Sequence, residues 1–165
     1  MAGKRLKRYG LEGGAKALIA IGLLLNLSAW FAAAYYFGLP GSKVTLFIVP
    51  LVFTCVSAIF LLVIRYRYTL FEKYPYLMSL PSLFYRLGEQ KDTNKQSVAF
   101  SMIFTVHALV LAVVGFMSLL LTITVGASIK SSAASPLLYI YLAVAAVLVI
   151  SVFLLYRRIY FKLMK

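Results

Sequence analysis

The chain has 165 residues, 63% of them hydrophobic, with a mean hydropathy of +0.94, which excludes an ordinary soluble domain. Seventeen Lys and Arg against four Asp and Glu give a formal net charge of +13. One cysteine, Cys55, excludes an internal disulfide, CxxC redox chemistry and any cysteine-based metal or iron–sulfur site.

Four apolar stretches, residues 15–37, 43–66, 98–126 and 136–157, each exceed the roughly 20 residues needed to cross about 30 Å of hydrocarbon. They predict a single-domain, all-α integral membrane four-helix bundle. The first stretch is too long for a signal-peptide core, and Trp30-Phe31 followed by Tyr35-Tyr36-Phe37 offers no small-residue cleavage site. Fifteen of the 17 cations lie in the first, third and fifth intervening segments or, as Lys16, Arg65 and Arg157, at the stretch ends that adjoin them; Lys43 and Lys130 are the exceptions. Glu12, Glu72, Glu89 and Asp92 lie on the basic side too. By the positive-inside rule this predicts a multi-pass protein of the cell membrane with both termini cytoplasmic. Cations flanking spans anchor against anionic lipid at about 1 kcal/mol each. Anionic lipids are therefore the expected partners of the basic surface, an acidic protein is the rival, and no nucleic acid is expected, although a basic balance elsewhere suggests it.

Residues 1–14 form a basic arm with Lys4, Arg5, Lys7 and Arg8. It reads either as an electrostatic tail or as a short helix on the headgroups ending at Gly13-Gly14. The first span carries Asn26, whose amide requires a partner in hydrocarbon. Ser28, Ala29, Ala32 and Ala33 give small-xxx-small spacing, which permits close helix approach. That face serves packing within the chain or docking against another subunit. Residues 38–42 are a tight external turn, so the first two spans are expected to be antiparallel neighbours. Pro50 predicts a kink in the second span, with Thr45, Thr54 and Ser57 available to freed carbonyls.

Residues 67–97 are expected to form a cytoplasmic interfacial loop. Its first half mixes Tyr68, Phe71, Tyr74, Tyr76, Phe84 and Tyr85 with Arg67, Lys73 and Arg86, and Pro75 and Pro81 forbid one continuous helix. Such aromatics suit headgroup depth. Residues 88–97 are polar and read as a water-exposed turn, with Thr93 or Ser97 as N-cap. The third span, the longest, offers Ala108, Ala112 and Gly115 as a small-residue face. The fourth opens with Pro136 and ends in a Tyr/Arg/Lys belt containing Arg157 and Arg158.

No carboxylate, ammonium or guanidinium lies in the interior of a span. Proton relays and ion-coupled carriers place such groups there, so a pump or coupled carrier acting alone is disfavoured. His107, the one histidine, reads as a neutral residue hydrogen-bonded across helices to a group such as Asn26 or Thr54. The rival reading makes it a haem or quinone contact, which needs a second ligand from Met, a dimer mate or another subunit. Without a second base, and without GxSxG, P-loop, HExxH or Rossmann signatures, no enzyme is expected. Cys55 reads as a small buried hydrophobe.

Gly41-Ser42-Lys43, followed by Leu46-Phe47, Pro50, Tyr74-Pro75 and Tyr85-Arg86-Leu87, resembles the membrane domain at the N-terminus of SdpI-type bacterial immunity proteins and related prokaryotic membrane proteins. The resemblance covers about residues 40–90. It implies a membrane hairpin followed by a cytoplasmic segment, and it brings no defined chemistry. The external loop that bears His in that family is reduced here to residues 38–42.

These features predict a non-catalytic accessory subunit of a larger membrane complex, respiratory or otherwise energy-converting, binding other integral membrane subunits. Asn26, Ala29, Ala33, Ala108, Ala112 and Gly115 are the expected helix-packing residues. A free-standing small transporter, channel or immunity-type protein is the first alternative. A haem- or quinone-binding subunit using His107 is the second.

Overall fold

The computed structural model describes residues 13–38, 44–73, 93–130 and 134–164, and is all-helical over them. The helices are α1 (Gly13–Phe37), α2 (Thr45–Arg65), α3 (Arg67–Lys73), α4 (Thr93–Lys130) and α5 (Ala134–Met164). Four contain segments long and apolar enough to cross a membrane: Gly13–Phe37, Leu46–Arg65, Phe100–Ser128 and Tyr139–Arg158. Helix is the form that satisfies every backbone N–H and C=O within one segment when no water is present.

The helices outrun the apolar stretches at several ends. α4, with 38 residues, is about 57 Å long at 1.5 Å per residue, nearly twice the hydrocarbon thickness. It starts at Thr93, so the polar segment expected as a turn before the third span is already helical there. α5 continues seven residues beyond Arg157, to Met164. Part of the expected interfacial loop is helical as well. Tyr66 leaves the helical region with φ −95° and ψ 15°, yet its N–H still donates to the Leu62 carbonyl, and Leu70 N–H donates to the Tyr66 carbonyl (both 2.9 Å). α3 is thus a bent continuation of α2. Residues 1–12, 39–43, 74–92, 131–133 and 165 lie outside the described residues. With them go Lys4, Arg5, Lys7, Arg8 and Arg86, most of the basic arm and most of the tight turn at residues 38–42.

α4 is the hub. It packs most extensively on α1, and also on α2 and α5; α1 touches α2 as well. Gly22 lies against Leu111 and Ala112, and Tyr36 against Gly126, so numbering rises together and α1 and α4 run parallel. The bundle is open on one side. No residue of the apolar segment Tyr139–Arg158 is buried, and α5 rests chiefly on α4.

The α1–α4 seam is built from small residues at heptad spacing. Ala15, Gly22 and Ala29 recur every seven residues on α1, as do Asn26 and Ala33, and all are buried. Ala108, Gly115 and Thr122 do the same on α4 and are also buried. A β-carbon added to Gly22 would stand 2.7 Å from the Leu111 carbonyl oxygen and 2.9 Å from the Ala112 nitrogen; one added to Gly115 would fall on the Gly22 carbonyl. The two backbones are in direct contact, which a membrane helix pair achieves only where side chains are absent.

Candidate functional site

Two polar clusters stand out from the apolar spans. The first joins α1 to α2. Asn26 Nδ2 donates to Ser57 Oγ (3.1 Å), Asn26 Oδ1 accepts from the Thr54 hydroxyl (3.0 Å), and Trp30 Nε1 donates to Thr54 Oγ1 (3.0 Å). The Thr54 hydroxyl also lies 2.7 Å from the Pro50 carbonyl oxygen. It has one proton, so Asn26 and Pro50 compete for it. Asn26 is 4% exposed and Ser57 3%, so both amide and hydroxyl are satisfied where water is absent. One turn outward, Phe47 meets Trp30 (centroids 6.2 Å) and Phe37 (5.2 Å), closing the α1–α2 contact.

The second cluster gathers where α2, α3, α4 and α5 meet. His107, 1% exposed, has Nδ1 2.9 Å from the Ile103 carbonyl and 3.2 Å from Tyr156 Oη. A carbonyl oxygen can only accept, so the proton belongs on Nδ1, and the Tyr156 oxygen lies within its reach as a second acceptor. The partners are Ile103 and Tyr156 rather than Asn26 or Thr54, because His107 sits on α4 opposite the α5 end, away from the α1–α2 network. Phe104 stacks on the imidazole at 5.3 Å, Tyr156 meets it edge-on at 5.8 Å, and Phe60 lies at 6.2 Å. Below Phe104 the rings continue through Phe100 (4.7 Å) to Tyr68 (5.0 Å).

This aromatic ladder ends among the cations. The Arg67 guanidinium lies over Tyr68 (4.8 Å) and Phe104 (6.0 Å) and donates to the Ile64 carbonyl (3.0 Å). Arg65 stands over Tyr66 at 6.0 Å and Arg157 over Phe161 at 5.4 Å. Since Tyr156 is one residue from Arg157, and Phe60 five from Arg65, His107 lies one to two turns inside the basic belt rather than at mid-membrane. Arg157, Arg158 and Lys73 are exposed and Arg67 is half-buried.

The predicted packing residues all lie at helix contacts within the chain. Ala29, Ala33 and Ala108 are fully buried, Ala112 is 9% exposed, and Gly115 meets Gly22. Ser28 is exposed and bonds back to the Leu24 carbonyl (2.9 Å). These packing residues are thus buried within the chain, with Gly22 of α1 and Gly115 of α4 in direct contact. Cys55 is exposed on α2, not buried as expected, because the small α2 residue turned inward is Ser57, drawn there by Asn26. Sequence reasoning missed Gly22, although its seven-residue spacing from Ala15 and Ala29 was visible. It also missed the roles of Tyr156 and Trp30, which depend on helix pairing. Among the described residues no three His, Cys, Asp or Glu converge.

Comparison with known proteins adds little to this geometry. The chain is 33% identical over 55 residues to an uncharacterised protein of Archaeoglobus fulgidus, a stretch covering 33% of this chain and 30% of that one. No family model matches the chain, and no solved structure matches it.

Proposed function

We propose that this protein is a non-catalytic accessory subunit of a larger integral membrane complex, with both termini and residues 67–97 in the cytoplasm. A respiratory or other energy-converting assembly is the first host to examine. The observation that carries the reading is chemical. The span interiors hold no Asp, Glu, Lys or Arg, and their one imidazole, His107, is hydrogen-bonded to Ile103 and Tyr156. Pumps, coupled carriers and paired-carboxylate enzymes need such groups where the chemistry occurs.

Packing supports the same reading. α1, α2 and α4 bury their small and polar residues against one another, whereas α5 turns Tyr139, Val149 and Phe153 outward at 65–71% exposure. With no residue of its apolar segment buried, α5 is the most open face for other membrane subunits. The direct test is purification of the tagged chain in mild detergent, with mass spectrometry of what accompanies it. Membrane subunits at fixed stoichiometry, cross-linking to cysteines placed at Ala143 or Val147, are the expected result. A stable monomer under every gentle condition overturns the proposal.

A further inference from the structure

We propose that the basic end of the helices is a collar that recognises anionic phospholipid through arginine, binding the headgroup phosphate rather than an acidic protein. The inference does not rest on membership of a complex and holds equally for the isolated chain. Its first support is stoichiometric. The segments on this side carry fifteen Lys and Arg against four carboxylates. Even if every carboxylate were paired, eleven cations would need counter-anions from outside the chain.

The second support is depth. Arg65 closes the apolar segment Leu46–Arg65, and Arg158 closes Tyr139–Arg158 with Arg157 beside it. These guanidiniums stand at the last turn of a span, at the level of lipid phosphates. An acidic protein would meet charges projecting further into water. The aromatic partners Tyr66 and Phe161 suit the same layer.

The third support is geometry. Arg65 and Arg157 are exposed, and each lies over a ring, at 6.0 Å on Tyr66 and 5.4 Å on Phe161. At these distances the ring attracts the cation without occupying the N–H groups of the exposed guanidinium. The guanidinium's N–H fork matches two oxygens of one phosphate, which an ammonium cannot do. The ring contact also restricts the long side chain before the lipid arrives, reducing the entropy lost on binding.

The test uses the full chain purified in detergent, with phosphatidylglycerol or phosphatidylcholine of identical acyl chains added. Retained lipid is counted by native mass spectrometry, and unfolding midpoints are recorded in parallel. The wild-type chain should retain phosphatidylglycerol over phosphatidylcholine by about thirtyfold or more, the scale of two interfacial cations at about 1 kcal/mol each. Arg65→Gln with Arg157→Gln should remove most of the preference, leaving the part carried by the other cations at this end. Arg65→Lys with Arg157→Lys should lose most of it despite unchanged charge. Both sites are exposed, and unchanged Trp30 emission will show that each variant is folded. Equal retention of the two lipids by the wild-type chain, or a Lys variant indistinguishable from it, overturns the proposal. So does a co-purifying acidic protein, stripped by salt, with no lipid preference beneath it.

Discussion

Gly115→Ala is the sharpest perturbation of this fold. The added methyl falls on the Gly22 carbonyl, and the reciprocal methyl of Gly22→Ala stands 2.7 Å from the Leu111 carbonyl oxygen, against 3.4–4 Å for ordinary contact. The obstacle in both cases is helix backbone, which cannot rotate aside as a side chain can. The helices must part by at least about 0.7 Å at Gly22, the difference between those distances, and by more at Gly115. Overpacking of this kind costs about 1–3 kcal/mol. Recovery from neighbouring contacts is poor, because in lipid the seam is held by packing and hydrogen bonds with no hydrophobic drive between helices. We expect Gly115→Ala to destabilise by about 2 kcal/mol or more, with Gly22→Ala slightly milder. Gly14→Ala, whose added β-carbon meets nothing within 4 Å, should be neutral or slightly stabilising through helix propensity. Unfolding in mixed detergent micelles can be followed by emission of Trp30, the chain's one tryptophan. If both seam variants unfold within about 0.5 kcal/mol of wild type, the size of an ordinary surface substitution, the direct α1–α4 backbone contact is wrong. Because this seam lies inside the chain, a bulky residue such as Gly115→Leu or Ala33→Leu should damage the fold itself, not merely release the chain from a complex.

Asn26→Leu should remove the α1–α2 hydrogen bonds and cost about 0.6–2 kcal/mol; a variant as stable as wild type in the same micelle assay would refute the network. Thr54→Val should shift Trp30 emission by removing the indole's acceptor, and an unchanged spectrum counts against that bond. His107→Asn should preserve assembly and any activity of a host complex, and Tyr156→Phe should cost only about 0.5–1.5 kcal/mol; loss of a haem Soret band or of quinone turnover on His107→Asn would show a cofactor role instead. For topology, a cysteine at Thr93 in a Cys55→Ser background should react with impermeant reagent only from the cytoplasmic side, and labelling only from outside would reverse the orientation.

The four spans were legible in the sequence because transfer of apolar side chains into hydrocarbon is nearly additive along the chain, so a run of residues reports its own solvent. The clustering of Lys16, Arg65, Arg67, Arg157 and Arg158 at one end of the helices follows from the same one-dimensional pattern. Which face of each helix is buried is a different kind of information. α1 and α4 are apolar all round, so hydrophobic periodicity cannot separate a lipid-facing Leu24 from a core Leu111. Residue size is the remaining signal, and it marks Ala29, Ala33 and Gly115, whereas Gly22 is marked by its carbonyl lying beneath Gly115. Size also cannot name the partner, and the same alanines suit a neighbouring subunit as well as α4. Only the tertiary structure decided that α1 and α4, parallel by the order of the spans, lie in backbone contact. Only there does Ser57 replace Cys55 on the inner face, His107 find Tyr156 forty-nine residues away, and α5 remain uncovered. Each of these depends on where a second helix lies, which packing and long-range hydrogen bonds determine and no local stretch of chain encodes.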